Sequence, residues 1–502
     1  MTTSPLYTIV RNALVLLPGK AQAEPVDLLL EGDTIREIGP RGMSAPADAA
    51  IVDAAGKLVH AGLINAHTHG HGALAKAMGD RWTLELLLAA GPWISGNRSL
   101  EDKYLSATLN GAEMVLKGTT ACYDLFFEVP APSVEGMSAI AQAYQDVGMR
   151  ATIAPMVADK TLYEAIPGLY DALPEALRSA VDRFRMQPYA ETLKGFEAFV
   201  TQTRIDSERL KIALAPTIPL HCSDEFLGAC RDCARRFGLG LHSHVSESKI
   251  QALSGVKRYG RTLTAHLDKL GLLGPDFTVA HGVWLDPDDM RILAGHGASV
   301  AHNPASNMRL GSGLADLRAM LDAGVNVAIG TDGSNSGDNQ NMYEATRLAS
   351  FVSKVRGPDM HQWLTTPEAL HAATEGGARA LGFQGKIGRI EAGYKADLVF
   401  VDLGHINWLP HNRTVNQIVH VEDGTAVRDV MIGGRFVVKD GRLLTIDLAK
   451  LARQAEAARE RLEAVNAPMK ILAEKLQEAV ASFCIGLARE PYQVERYGAP
   501  LR

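Results

Sequence analysis

Short apolar runs separated by turns fill the first sixty residues of the chain. They lie in the stretches YTIVRNALVLL, PVDLLLEGDTIREIG and AAIVDAAGKLVHAG, and EGD between two of the runs is a turn signal. Runs of this length and spacing predict a small antiparallel sheet.

The pattern changes between residues 62 and 381, where short apolar runs alternate with longer segments of helical periodicity. The runs that predict strands are GLINAHTH, TTACYDLF, RATIAPMV, KIALAPT, LGLHSHV, FTVAHG, ASVAHNP and VNVAIGTDG. Repeated strand–helix units predict a parallel sheet, and eight of them indicate an α/β fold, a closed (β/α)8 barrel. A doubly wound open sheet is the alternative, but no glycine-rich phosphate loop follows the first run.

Short strands return after the barrel, in NQIVHVEDG and in VRDVMIGGRFVVKDGRLL, where GGRFVVKDG predicts a hairpin with glycine turns. Their similarity to the first segment predicts one β-sandwich domain from residues 1–61 and 382–446, around a catalytic barrel at 62–381. Residues 447–502 form a helical extension in this division, with a helix from 447 to 488 broken at Pro468. The apolar face of that helix would dock on the body or on a second subunit, or else belong to a peripheral amphipathic helix.

Composition narrows the class of protein. The chain has 502 residues, 46% of them hydrophobic, and a net charge of −6 with no basic stripe, which argues against nucleic acid as a partner. Neither a signal peptide nor an apolar run of membrane-spanning length is apparent. We therefore expect a cytoplasmic protein with five reduced cysteines. Two of them lie in CRDC, within a strongly helical stretch, where cysteine behaves as a small apolar residue rather than a metal ligand.

Histidines and acids cluster where the predicted barrel strands end. His67 and His69 alternate after the first strand, so their side chains share one face. His242, His244 and Glu247 follow the fifth strand, His281 the sixth, His302 and Asn303 the seventh, and Asp332 the eighth. A single histidine of this kind is usually a packed or surface residue, but four consecutive strands that end in such groups predict an active site.

The chemistry of these groups suits one divalent metal ion. His67, His69, one histidine of HSH and Asp332 would be ligands for zinc, with ferrous iron as the alternative. Asp332 would take a proton from the attacking water, Glu247 would shuttle protons and His281 would steady the developing negative oxygen. Spacing leaves open whether His242 or His244 binds the metal.

Five motifs taken together resemble the amidohydrolase superfamily, and within it the mononuclear metal deaminases and s-triazine hydrolases. They are GLINAHTHG, HSHVSES, AHGVWLDPDD, AHNPASNMRLGSG and IGTDGSNSGDNQNMYEATRLA. The resemblance runs from about residue 5 to 445 and implies a (β/α)8 barrel with a sandwich from both chain ends. It also implies that His244 is the ligand, since the catalytic glutamate of the family follows that ligand by three residues. The reaction it implies is deamination of an amino-substituted nitrogen heterocycle.

Departures from the family pattern refine this expectation. Thr217 stands where the nucleoside deaminases carry a histidine, which favours free bases or small heterocycles over adenosine-type nucleosides. No lysine ends the fourth strand, which favours a single metal, and the tail beyond 447 is longer than expected. The predicted pocket residues are Trp82, Thr217, Trp284, Asn303 and Asn307.

The same candidate site is compatible with other functions. The same residues would also suit displacement of chloride or an alkylamine from a triazine-like ring, or hydrolysis of an amide or urea. A different class of function is a binding or scaffold protein that has kept the fold and lost the reaction. The presence of all the predicted metal ligands and catalytic residues argues against this interpretation. We also expect a homo-oligomer.

Overall fold

The computed structural model describes residues 6–184, 186–203 and 205–498. Within these residues eight parallel strands form one sheet in which neighbours in sequence are neighbours in space. The strands are Leu63–Thr68, Thr119–Phe126, Arg150–Val157, Leu210–Pro216, Gly240–Val245, Phe277–His281, Ser299–His302 and Asn326–Ile329. The Asp332 amide, just past the last strand, donates to the His67 carbonyl of the first strand at 2.9 Å, which closes the circle. The predicted barrel is confirmed.

The barrel strands are nearly continuous apolar runs because both of their faces are covered. Every residue of Thr119–Phe126 and Arg150–Val157 is buried, as expected for parallel strands flanked by helices. Small side chains such as Ala121, Ala213 and Ala328 fill the interior around Tyr123. This packing holds the strand ends, which carry the polar residues, in fixed positions.

Helices follow the barrel strands and cover their outer side. Several begin at a serine or aspartate whose side chain accepts a backbone N–H, such as Ser99, Ser133 and Asp286. The α-helices before the extension are Leu84–Ile94, Leu100–Leu116, Val134–Val147, Leu162–Ala165, Leu169–Ala172, Glu175–Val181, Tyr189–Gln202, Asp224–Phe237, Lys249–Tyr259, Leu263–Lys269, Pro287–His296, Pro304–Arg309, Leu317–Asp322, Met342–Lys354, Thr366–His371, Gly377–Ala380 and Thr414–His420. Short 3₁₀ turns lie at Gly70–Ala75, Pro219–His221, Met360–Gln362 and Ile406–Trp408, and a π-helical turn lies at Ala372–Gly376. None of the described helices is both long and apolar enough to cross a membrane.

The second sheet is built from both chain ends, as predicted. Its strands are Tyr7–Arg11, Leu14–Val15, Glu24–Glu31, Thr34–Pro40, Ala50–Asp53, Lys57–Ala61, Leu398–Asp402, Val427–Ile432, Arg435–Lys439 and Arg442–Leu443. Leu398 pairs with Ala61, which joins the two ends of the chain. Gly433 and Gly434 have φ of 55° and 72° in the turn of the predicted hairpin. The exact domain boundaries stay a prediction.

The expectation of a purely antiparallel sheet at the N-terminus was wrong. Tyr7–Arg11 runs parallel to Ala50–Asp53, and Leu14–Val15 runs parallel to Lys57–Ala61. A hairpin lies between the members of each pair in sequence, so the chain has space to return in the same direction. The sheet is therefore mixed.

The C-terminal helix Leu448–Ala488 is continuous, so the predicted break at Pro468 was also wrong. Proline removes one helix hydrogen bond and disfavours a helix interior. Here tertiary contacts hold both halves in line. Buried Asn466 donates to the Gly96 carbonyl at 3.0 Å and accepts from Asn97 at 2.8 Å. Apolar residues on either side of Pro468, among them Leu462 and Leu476, are buried against the body.

Candidate active site

Polar side chains from distant parts of the sequence meet at the carboxyl end of the barrel. His67 and His69 come from the first strand, His244 from the fifth and His281 from the sixth, while Asp332 follows the eighth. His67, His69 and His244 have donor atoms close enough to hold one ion, and so do His67, His281 and Asp332. His244, and not His242, belongs to this group.

The donor atoms lie at distances that suit one shared ion. Asp332 Oδ1 is 3.4 Å from His67 Nε2 and 3.2 Å from His69 Nε2. His69 Nε2 is 3.2 Å from His244 Nε2. Ligands about 2.0–2.1 Å from a tetrahedral zinc ion are about 3.3 Å from one another. The spacing therefore matches a four-coordinate divalent ion.

The hydrogen bonds of the histidines fix which nitrogen can bind metal. His69 Nδ1 donates to the Leu125 carbonyl at 2.5 Å, and His244 Nδ1 donates to the Thr217 carbonyl at 2.6 Å. Since a carbonyl can only accept, both Nε2 atoms present lone pairs to each other when the rings are neutral, an arrangement that a metal cation between them would satisfy. Neither ring nitrogen of buried His67 has a hydrogen-bond partner among the described residues, and burial lowers its pKa to about 3, which keeps it neutral. These residues fit a divalent metal.

Asp332 is held by its own neighbours. Ser306 Oγ donates to Oδ2 at 2.6 Å and the Gly333 amide donates to Oδ1 at 2.8 Å. Asp332 has a φ of 61°, in the left-handed region that non-glycine residues seldom adopt. Strain of this kind persists where the surroundings enforce it, and it is concentrated at functional sites.

Glu247 and His281 stand beside the ligand group. Glu247 Oε2 is 3.5 Å from His281 Nε2, which is 4.0 Å from Asp332 Oδ2. Burial, and then the charges of Asp332 and Glu85, raise the pKa of Glu247 well above its usual value. His281 Nδ1 contacts Asn307 Oδ1 at 2.8 Å, which orients the ring. Two neighbouring carboxyl groups whose pKa values are shifted in opposite directions are a suitable arrangement for acid–base chemistry.

Two of the predicted pocket residues contact the site through their polar groups. Thr217 supports His244 with its backbone carbonyl, while its hydroxyl lies 3.4 Å from Met156 Sδ. Asn307 contacts His281, as described above. Asn303 is buried, and its side-chain oxygen and nitrogen have no hydrogen-bond partner in the described part of the chain. Their roles toward a substrate stay predictions.

The two predicted tryptophans occupy different surroundings. Trp284 is fully buried, donates from Nε1 to the Ser312 carbonyl at 2.7 Å and packs its ring 4.9 Å from that of Tyr497. Trp82 is half-buried and packs edge-on against Trp93 at 6.0 Å. Trp284 thus contacts the C-terminal segment rather than the metal ligands.

Two of the predicted candidate histidines, His242 and His302, do not join the ligand group and are packed in the barrel interior or beside it. His242 is buried with its ring 4.4 Å from Tyr123 and 5.0 Å from His67. His302 is buried too, and burial lowers its pKa to about 3. Cys230 and Cys233 lie on the buried side of the helix Asp224–Phe237, as predicted.

The sequence reasoning missed residues that support the site from a distance. Ser306 fixes Asp332, and buried Glu85 accepts a hydrogen bond from Ser248 at 2.7 Å beside Glu247. Ser306 could have been found, because it lies within the motif AHNPASN. Glu85 gives no such signal, because in sequence it is simply one acidic residue in the first turn of a helix.

The fold and the ligand group together define a metal-dependent barrel enzyme. The model of the amidohydrolase family matches residues 58–437. The chain belongs to the amidohydrolase family, as the five motifs predicted.

Curated relatives are similar over almost their whole length. A 5′-deoxyadenosine deaminase of Methanosarcina mazei is 32% identical over 460 residues, covering 91% of this chain and 98% of the relative. A 5-methylthioadenosine/S-adenosylhomocysteine deaminase of Caldanaerobacter subterraneus is 31% identical, covering 88% of this chain and 94% of the relative.

Solved structures have the same fold. An adenosine deaminase from Xanthomonas campestris, solved with bound zinc, is 28% identical with a TM-score of 0.80, covering 91% of this chain and 98% of that chain. A variant of atrazine chlorohydrolase from Arthrobacter aurescens, solved with zinc and atraton, has a TM-score of 0.81 at 24% identity, covering 90% of this chain and all of that chain. At that identity the second likeness supports the fold alone.

Proposed function

We propose that this protein is a zinc-dependent aminohydrolase that deaminates an amino-substituted nitrogen heterocycle and releases ammonia. The observation that carries the proposal is the position of two carboxyl groups, those of Glu247 and Asp332, which lie 3.5 Å and 4.0 Å from His281 Nε2 at the metal-ligand group. Deamination needs a proton donor for the ring nitrogen and a proton acceptor for the attacking water, and these two carboxyl groups supply both.

The chain's own residues have separate roles. A zinc ion on His67, His69, His244 and Asp332 would supply Lewis acidity and lower the pKa of water. Asp332 accepts a proton from the attacking water, while Glu247 protonates the ring nitrogen next to the attacked carbon.

The proton on Asp332 then leaves with the amino group as ammonia, and the new hydroxyl returns a proton to Glu247. Atoms and charges balance over the cycle. His281 orients the oxygen that becomes the product carbonyl, and it can donate to that oxygen once Nε2 has gained a proton.

The relatives favour a deaminase over the rival reactions. Their names describe deaminases of adenine nucleosides, at 31–32% identity over most of both chains. The triazine hydrolase structures share the fold at 23–24% identity, so displacement of chloride or an alkylamine is the second candidate. Because Thr217 turns its hydroxyl toward Met156, we propose that the enzyme prefers a free base or a small heterocycle to an adenosine-type nucleoside.

Ammonia release from a panel of aminopurines, aminopyrimidines, pterins and triazines tests the proposal, with the products identified by mass spectrometry. We expect the amino group to be replaced by oxygen. Release of chloride or an alkylamine with the amino groups intact would overturn it.

We further propose a homo-oligomer in the cytoplasm, which light scattering of the purified protein and cell fractionation would test.

A further inference from the structure

The chain folds back after the eighth barrel strand and brings Gln340 against Asp332. The side chain of the next residue, Asn341, accepts backbone amides at the start of the helix Met342–Lys354 and so caps it. The Gln340 backbone amide donates to Glu113 Oε1 at 3.2 Å. Gln340 is fully buried, and it is fixed in place by the start of a helix.

The side-chain amide of Gln340 leaves none of its donors or acceptors unused. Its Nε2 donates to the Asp332 carbonyl at 2.8 Å and to Ser334 Oγ at 3.2 Å. Its Oε1 accepts from the hydroxyls of Thr331 at 2.6 Å and Thr68 at 2.8 Å. Because a carbonyl can only accept, the bond to Asp332 also fixes which end of the amide faces that residue.

These hydrogen bonds join the two segments that carry three of the metal ligands. Thr68 lies between His67 and His69 in the first strand. Thr331 directly precedes Asp332, after the eighth strand. One buried amide therefore holds the segment with the histidine pair against the segment with the carboxylate. Partners that orient metal ligands commonly change metal affinity by about 10–100-fold when they are lost.

The backbone of Asp332 requires support of this kind because its φ of 61° lies in the left-handed region. Ser306 and the Gly333 amide hold its carboxylate, whereas Gln340 holds its main chain. Without the amide, the turn would be free to relax toward ordinary backbone angles, and the carboxylate would move relative to the histidines.

We infer that Gln340 is a positioning residue of the metal site. It holds the Asp332 turn against the first strand, at the spacing that one four-coordinate ion requires. It acts through Thr68, Thr331 and the Asp332 main chain, and it is not itself a ligand. The inference concerns the ligand group alone, so it goes beyond the proposed reaction and its test needs no substrate.

The test measures the Zn²⁺ affinity of purified Gln340→Met by competition with a chelator of known affinity. Methionine has a similar length and volume but lacks the amide. We expect the Kd for Zn²⁺ to rise by about 10–100-fold. The visible absorption of the Co²⁺-loaded variant should also differ from that of the native protein, because this absorption depends on the positions of the ligands around the ion.

Asn326→Leu is the matched control, at the opposite end of the eighth strand. The Asn326 amide donates to Ser299 Oγ at 2.9 Å and to the Gly376 carbonyl at 3.1 Å. Its loss removes hydrogen bonds of the same kind from the same barrel. The urea midpoint should fall in both variants, whereas the Zn²⁺ affinity and the Co²⁺ spectrum should stay native in Asn326→Leu.

A merely structural role predicts a different result. Gln340→Met would then lower the urea midpoint, as Asn326→Leu does, but leave the Zn²⁺ affinity and the Co²⁺ spectrum of the folded protein unchanged, and the inference would be overturned. Failure of the native protein to bind Zn²⁺ would overturn it as well.

If Gln340→Met does not fold, Thr68→Val takes its place, because it removes one hydroxyl from Gln340 Oε1 with little change of shape. A weaker Zn²⁺ affinity with an altered Co²⁺ spectrum would support the inference, and native values would overturn it. A protein that binds Zn²⁺ as expected but releases no ammonia would refute the proposed function and leave the role of Gln340 in place.

Discussion

The metal-ligand group and the contacts of residues 489–498 with the barrel are assembled in opposite ways. The ligand group is built from the ends of barrel strands, and backbone carbonyls at Leu125 and Thr217 orient two of its histidines. Arg496 lies outside the 58–437 match to the family model and donates to the Val283 and Leu285 carbonyls, in the loop after the sixth strand. The comparison indicates that the barrel itself builds the ligand group, whereas a segment beyond the barrel helps to hold one of its loops.

Removal of a metal ligand should have the largest effect on activity, because every step of the proposed reaction depends on the bound metal ion. In His67→Ala we expect the bound divalent ion to fall from about one per chain to near zero, with activity lost by at least about 10⁴-fold. Elemental analysis of purified protein measures the metal content, and ammonia release measures the activity.

His71→Ala is the matched control, since this third histidine of the same motif accepts from the Phe127 amide and lies outside the ligand group. It should keep the ion. Two tightly held ions per chain would contradict the argument from the missing lysine at the end of the fourth strand.

Glu247→Gln should separate metal binding from proton transfer. The amide has nearly the same shape but cannot release a proton, so the ion should stay while kcat falls by about 10²–10⁴-fold. A variant that loses its metal would instead make Glu247 a ligand. Measurement of metal content and kcat on the same preparation decides between the two.

The ligand group could be predicted from the sequence because each of its residues lies in, or just after, a short segment that is recognisable as a barrel strand. Strand periodicity places His67 and His69 on one face, and the barrel rule brings the strand ends together. The contacts of Arg496 could not be predicted in this way, since 213 and 211 residues separate it from Val283 and Leu285. Pro468 shows the same limit, because packing around Asn466 overrides a local rule about helices.

Thr217 is expected to have a smaller effect, namely on which class of substrate is preferred. Its side chain is short and neutral, so it cannot supply the reach or charge of a histidine. We expect free aminopurines, aminopyrimidines or triazines to be deaminated with a higher kcat/KM than adenine nucleosides. A preference for nucleosides by more than about tenfold would show that the side chain at this position does not set substrate class.

Substitution of Arg496 should have the smallest effect, which we expect on stability and not on metal binding. Arg496→Met removes hydrogen bonds to the Val283 and Leu285 carbonyls, which are left in the loop that carries Trp284. Loss of such bonds costs about 1–3 kcal/mol of unfolding free energy. We expect urea denaturation to show that loss and limited proteolysis to cleave the chain sooner within residues 489–498, while metal content stays unchanged. Arg459→Met, on an exposed ion-pair cluster of the C-terminal helix, should leave the urea midpoint unchanged, because exposed ion pairs contribute little to stability. Loss of the metal in Arg496→Met would mean that the contacts of residues 489–498 also hold the ligand group in place, and the two regions would then not be independent.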